Sequence, residues 1–163
     1  MYKHTNQKNK NMIKRFFLLA VIGLFTQLAI AQSPIGDGGI QLNGGLGLNN
    51  ADGVPVYVGA DFGVAPLITV GGQAGFSDNF FTLGANANYH FDELLELPSE
   101  WNVYGGATLA FVDATGLDDD GDIDLGLQLG GRYYFNDNLG LNLEAGGGTQ
   151  LSGGKIGLSY VLQ

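Results

Sequence analysis

The stretch Phe80-Phe-Thr-Leu-Gly-Ala-Asn-Ala-Asn-Tyr-His-Phe91 decides the fold. Its odd positions are Phe81, Leu83, Ala85, Ala87, Tyr89 and Phe91, and its even ones include Thr82, Asn86, Asn88 and His90. Successive side chains of a strand point to opposite faces, so a period of two describes a strand with one apolar and one polar face. The same alternation runs from Val54 to Leu162, with glycine throughout. Cutting at turn chemistry gives eight segments: 39–48, 54–64, 67–76, 80–91, 101–112, 123–135, 139–148 and 155–162. An even number suits an up-and-down barrel. Most segments reach the roughly 9 to 11 residues of a tilted membrane-crossing strand, whereas soluble strands more often have about five or six. The connections are rich in Asn, Asp, Gly and Pro, as turns require.

The chain opens with Lys3, Lys8, Lys10, Lys14 and Arg15, continues with an uncharged run over 16–30 and reaches Ala29-Ile30-Ala31 before Gln32. This order is that of a secretion signal with its cleavage site. The apolar run is shorter than the about 20 residues a membrane helix needs. Residues 1–31 are therefore expected to be a cleavable signal peptide, with Met12 an alternative start, and residues 32–163 a single β-barrel domain.

Removing 1–31 leaves Arg132 and Lys155 against sixteen carboxylates, a formal charge of about −14. Such a chain repels nucleic acid, which attracts clustered Lys and Arg. Cysteine is absent, so neither a disulfide framework nor a lipid-attachment Cys is available.

Parity and charge agree. The apolar parity holds Leu42, Val58, Phe62, Val70, Leu109, Leu127, Leu141 and Leu158 and no charged residue. Asp61, His90, Asp124, Arg132, Glu144 and Lys155 take the other parity, with Gln41, Asn43, Tyr57, Gln73, Asn102, Tyr104, Gln128 and Asn142. A Lys or Arg facing lipid at mid-depth costs about 2–4 kcal/mol, so the charged parity should face the lumen. With a periplasmic N-terminus, Phe62, Tyr89, Phe91, Trp101, Tyr133, Phe135 and Tyr160 fall near one rim and Phe76, Phe81 and Phe111 near the other. Two aromatic girdles are a property of membrane barrels.

The stretch Arg132-Tyr-Tyr-Phe-Asn-Asp-Asn-Leu-Gly-Leu-Asn-Leu-Glu-Ala-Gly and the closing Gly157-Leu-Ser-Tyr-Val-Leu162 resemble the last hairpin of small outer-membrane barrels of the porin/OmpA-like superfamily. The resemblance implies an all-β fold: an eight-stranded antiparallel up-and-down transmembrane β-barrel in the cell outer membrane of a Gram-negative cell. It implies outer-membrane lipid, lipopolysaccharide and the barrel assembly machinery as partners, and a monomer. Those families usually end on an aromatic that the assembly machinery reads, whereas this chain ends Leu162-Gln163, with Tyr160 the nearest aromatic. The departure bears on assembly more than on fold. The larger members carry a peptidoglycan-binding domain after the barrel; none is expected after the last strand here, and cell-wall tethering is not implied.

An eight-stranded barrel is just wide enough for side chains to fill it. Arg132 lies opposite Asn142 and diagonal to Glu144 across the 136–138 turn, so the two charges are expected to pair in the lumen, joined by Asp61 and Lys155. The inward glycines Gly59, Gly63, Gly71, Gly126, Gly130, Gly140 and Gly146 are expected to leave volume open, which keeps a narrow passage as an option.

Asp118-Asp-Asp-Gly-Asp-Ile-Asp124 places Asp118, Asp120, Asp122 and Asp124 at alternating positions around Gly121, as calcium loops do. Gly116 and Leu127 stand where such a loop needs its first and twelfth ligands, so a complete EF-hand is excluded. A weaker calcium site and a solvated acidic turn remain the two readings; otherwise no cofactor is expected.

His90 is the single histidine after the signal, with no Ser within two positions, so no nucleophile–base pair is evident and no enzyme is expected. Residues 92–100 are expected to make a helical turn after an Asp cap and to cover the barrel end. The leading expectation is a non-enzymatic outer-membrane barrel with a structural or surface-interaction role. A narrow gated pore is one alternative. A soluble exported lipocalin-like barrel, with its apolar parity inward, is another.

Overall fold

The computed structural model describes residues 35–48, 54–77, 80–114, 122–149, 151 and 153–162; the segment expected to be a signal peptide and most of the Asp-rich loop lie outside them. Eight strands follow one another: β1 Ile40–Gly47, β2 Val56–Ala65, β3 Ile68–Phe76, β4 Phe80–His90, β5 Trp101–Ala114, β6 Asp122–Tyr134, β7 Leu139–Gly147 and β8 Lys155–Leu162. Each pairs antiparallel with the next, and β1 pairs with β8, closing the barrel in chain order. Closure removes both sheet edges, so every strand finds backbone partners on two sides.

The strands differ from the sequence-based segments by at most two residues at an end. The largest extension is at β5, which continues to Ala114 because Phe80 and Phe81 supply partners for Ala114 and Asp113. The chain termini and the turns at 66–67, 91–100 and 135–138 gather at one end, here the terminal end. The other four connections define the loop end.

The apolar parity faces outward. Ile123, Leu125, Leu127 and Leu129 on β6 keep between 61% and 72% of their surface exposed, and Leu143, Leu158, Val58 and Phe62 are likewise exposed. The interior is made of Gln41, Asp61, Thr69, Asn88, His90, Asn102, Tyr104, Thr108, Gln128, Arg132, Asn142, Glu144, Lys155 and Ser159. This is the reverse of a soluble barrel with a ligand-binding apolar interior, and it overturns the lipocalin-like alternative, which needed the apolar parity inside. At the terminal end Trp101 stacks on Tyr133 at 4.9 Å, Tyr133 on Phe135 at 5.7 Å and Tyr89 on Phe91 at 5.1 Å. Phe76 meets Phe81 at 5.3 Å at the loop end. The two aromatic belts therefore occupy the rims that parity assigns them.

The inward glycines do not leave the volume open as expected. A Cβ at Gly130 would overlap the Tyr104 ring, one at Gly71 the Asp61 carboxylate, and one at Gly140 would lie 3.0 Å from Tyr134 Cδ1. Each is a socket for the side chain directly opposite on the adjacent strand, because side chains in so narrow a barrel must lie across the wall. Gly130→Ala should destabilise the barrel by about 1–3 kcal/mol through overpacking against Tyr104. Gly147→Ala, where a Cβ meets nothing within 4 Å, should be near neutral. Urea-unfolding midpoints of the refolded variants check both.

Candidate functional site: the lumenal charge network

Arg132 enters the lumen from β6 and is almost wholly enclosed. Its Nη2 donates to Asp61 Oδ2 at 3.0 Å, across the barrel on β2, and its Nη1 donates to Asn102 Oδ1 at 3.1 Å. With the Gln41 amide oxygen turned toward the guanidinium, Nε donates to it at 3.1 Å, and the Gln41 nitrogen donates to the Tyr134 hydroxyl at 2.5 Å. The Tyr104 ring covers the guanidinium face at 4.2 Å. Asp61 is equally satisfied, accepting from Asn86 Nδ2 and Asn43 Nδ2 at 2.9 Å each as well as from Arg132. A buried charge needs partners on all its donors or acceptors, and strands β1, β2, β4 and β5 supply them to this pair.

A second ion pair lies toward the loop end. Lys155 Nζ sits 2.7 Å from Glu144 Oε1 and donates to Gln73 Oε1 at 3.0 Å. Tyr104 Oη donates to Glu144 Oε2 at 2.9 Å, so one tyrosine touches both pairs. From Gln73 the polar column continues through Thr108 to Gln128, whose Nε2 donates to Asn88 Oδ1 at 2.7 Å.

Asp61, Arg132, Glu144 and Lys155 thus meet in one network, but with a different pairing from the Arg132–Glu144 contact expected from the hairpin. The register is as counted, with Arg132 opposite Asn142. Glu144, however, faces Lys155 directly on β8, nearer than the diagonal, and the long arginine reaches across the lumen to Asp61. Parity alone orders residues along a wall and says nothing of contacts across it.

His90, Thr69, Asn102, Tyr104, Gln41 and Tyr134 complete the network; parity marked most of them as lumenal without giving them partners. Asn102 Nδ2 donates to His90 Nδ1 at 2.7 Å, so the proton sits on Nε2, which donates to Thr69 Oγ1 at 3.1 Å. An imidazole in this tautomer cannot take a proton from Thr69. Asn102 Nδ2 also donates to Asp92 Oδ2 at 2.6 Å, tying the lumen to the connection between β4 and β5.

That connection makes the expected helical turn, with Leu95 N donating to Phe91 O at 2.9 Å, but differs from expectation in its cap and in its cover of the barrel end. The Asp92 carboxylate caps no helix of its own loop but accepts from Val103 N at 2.6 Å on the far side. Residues 91–97 form consecutive turns, with Glu96 in the left-handed region at φ 50°, and Leu94 and Leu95 are exposed rather than tucked over the barrel end. Burial raises the Asp92 carboxyl above its ordinary 3.8, against the opposing pull of the Val103 and Asn102 bonds and of Arg132. Of the four aspartates of the calcium reading, Asp118 and Asp120 lie outside the described residues, and Asp122 and Asp124 open β6.

Among the described residues, a cavity bordered by Asp61, Tyr104, Arg132, Glu144 and Lys155 holds about 20 Å³, room for about one water. The larger hollows, about 660 and 440 Å³, are shallow depressions whose lining includes the small outward residues Gly72, Ala74, Ala85 and Ala87.

This geometry defines a class: a closed eight-stranded antiparallel barrel, apolar outside and hydrogen-bonded inside, which is the fold of small transmembrane β-barrels. Solved structures agree. A structure described as de novo design of transmembrane β-barrels matches with a TM-score of 0.60 at 23% identity, covering 82% of this chain and all of the other. The N-terminal β-barrel domain of Pseudomonas aeruginosa OprF matches at 0.57 and 14%, covering 77% and 98%. The solution structure of the designed barrel TMB2.3 matches at 0.57 and 19%, covering 78% and 97%. No family profile and no curated protein matches the sequence.

Arg132→Met should cost about 3–5 kcal/mol by leaving Asp61 charged without its counter-ion, whereas the Asp61→Asn, Arg132→Met double variant should cost less than the sum of the single changes. A double-mutant cycle from urea unfolding reads this. Because the folded protein holds the Asp92 proton more tightly than the unfolded chain, Asp92 should lower stability as pH rises above 3.8. Wild type should therefore lose stability relative to Asp92→Asn as pH rises through and above 3.8 in paired unfolding curves.

Proposed function

We propose that this protein is a non-enzymatic integral barrel of the cell outer membrane, exported by residues 1–31, with a lumen plugged by its own side chains and a structural role in the membrane. The observation that carries this reading is the pairing of an apolar exterior with an interior that encloses two ion pairs and cavities of only about 20 Å³. The His90 tautomer, set by Asn102, supports the absence of catalysis, since the imidazole is already a donor to Thr69. Outer-membrane lipid and lipopolysaccharide are the natural surroundings of the apolar belt, and the barrel assembly machinery would insert it.

A second reading, a narrow ion path, draws on Tyr104, which touches both Arg132 and Glu144 and so couples the two ion pairs. Expression in a Gram-negative host followed by carbonate extraction of outer membranes tests the address: retention is expected, and release would overturn the membrane reading. Planar-bilayer recording tests the plug. A silent wild type is expected. Steady conductance that changes on Glu144→Gln would replace the structural reading with the ion path.

A further inference from the structure

We propose that Leu151, in the connection between β7 and β8, is a stopper that closes the loop end of the lumen. The inference deepens the closed-barrel reading and rests on it. The connection leaves β7 at Gly148, whose φ of +103° takes the chain out of strand geometry, and returns through Gly154, whose carbonyl accepts from Leu48 N at 2.6 Å. Side chains on a connection at a barrel rim ordinarily face solvent. Leu151 is 2% exposed.

The inner wall makes that burial possible. Gly75 on β3 and Gly84 on β4 take the lumen-facing parity, beside Thr82 and Gln73 respectively. A Cβ on Gly75 would lie 2.9 Å from Leu151 Cδ2, and one on Gly84 would lie 2.7 Å from Leu151 Cδ1. Both distances are closer than carbon atoms approach, so two glycines diagonal to each other across the β3–β4 pair form a seat that any other residue would fill. Leu151 also borders a cavity of about 20 Å³ at the loop end, lined by Gly47, Pro55, Tyr57, Thr82 and Lys155 among others. The lysine of the second ion pair and Leu151 thus line the same small cavity at the loop end. The terminal end has its own apolar layer, because Ile35, Leu67 and Val161 are all buried there, Ile35 against the inward side of Gly39.

A stopper of this kind acts by excluding water. An apolar constriction blocks ions by dewetting, and a drier lumen strengthens the ion pairs under it. Sequence patterning alone does not reveal Leu151, which lies in a turn-rich segment outside any strand.

The chain has no cysteine, so a single introduced thiol reports cleanly. Ala110 faces the lumen on β5, is 1% exposed and pairs across the sheet with Gly84, next to the seat. The experiment measures the rate at which a charged methanethiosulfonate reagent modifies Ala110→Cys in the folded barrel in detergent micelles. Leu94→Cys on the exposed 91–100 connection serves as the reference, and a heat-shifted gel band shows that each variant is folded. With Leu151 in place, Ala110→Cys should react at least about tenfold more slowly than Leu94→Cys. Adding Leu151→Gly should raise its rate about tenfold, Leu151→Met should leave it slow, and Gly75→Ala should raise it by unseating an unchanged leucine. Rapid modification of Ala110→Cys with Leu151 present would overturn the proposal, as would an unchanged rate in a folded Leu151→Gly barrel. The labelling does not depend on the cellular address, so a failed stopper and a failed membrane reading give different results.

Discussion

The buried guanidinium of Arg132 is the constraint on which the interior depends. An arginine has five N–H donors and does not lose its proton, so enclosing it commits the surrounding walls to supplying acceptors. Asp61, Asn102 and Gln41 come from three strands, and the Tyr104 ring covers the guanidinium face. Asp61 in turn holds Asn43 and Asn86. Hydrogen bonds that span the lumen therefore tie β6 to β1 and β2, which are distant in sequence, and Asn102 adds one from the neighbouring β5.

Size makes this possible. Eight strands enclose a space that side chains from opposite walls can bridge, and the glycine sockets decide which do so. Gly130 accommodates Tyr104, and Gly71 accommodates Asp61. Small and large residues alternate inside for packing, while outside the requirement is only that the surface be apolar. The same sequence thus satisfies two solvents with one period. Aromatic contacts mark the rims, where an amphipathic ring suits both environments.

Charge organisation follows a gradient along the axis. The terminal end carries Arg132 and Asp61 with His90 and Asp92 nearby, the middle is bridged by Tyr104, and Lys155 with Glu144 lies toward the loop end. Apolar side chains, Ile35 and Leu67 at one end and Leu151 at the other, separate this column from the surroundings. A column of paired charges between apolar ends is an arrangement for holding walls together. It is also the arrangement in which a displaced side chain would have the largest electrostatic consequence, because the dielectric inside is low.

The sequence by itself determined the strand count, the antiparallel order, the inward and outward sets and the two aromatic belts. These depend on neighbours along the chain, and the period of two records them directly; Phe80 to Phe91 alone shows the rule. It also placed Asp61, Arg132, Glu144 and Lys155 in a common lumen. Only the tertiary structure decided that Arg132 joins Asp61 across the barrel, that Tyr104 links the two ion pairs, that inward glycines are filled by their neighbours and that Leu151 enters the mouth. Those contacts join residues far apart in the chain, and they depend on barrel closure and strand stagger, which bring opposite walls within a side chain's length.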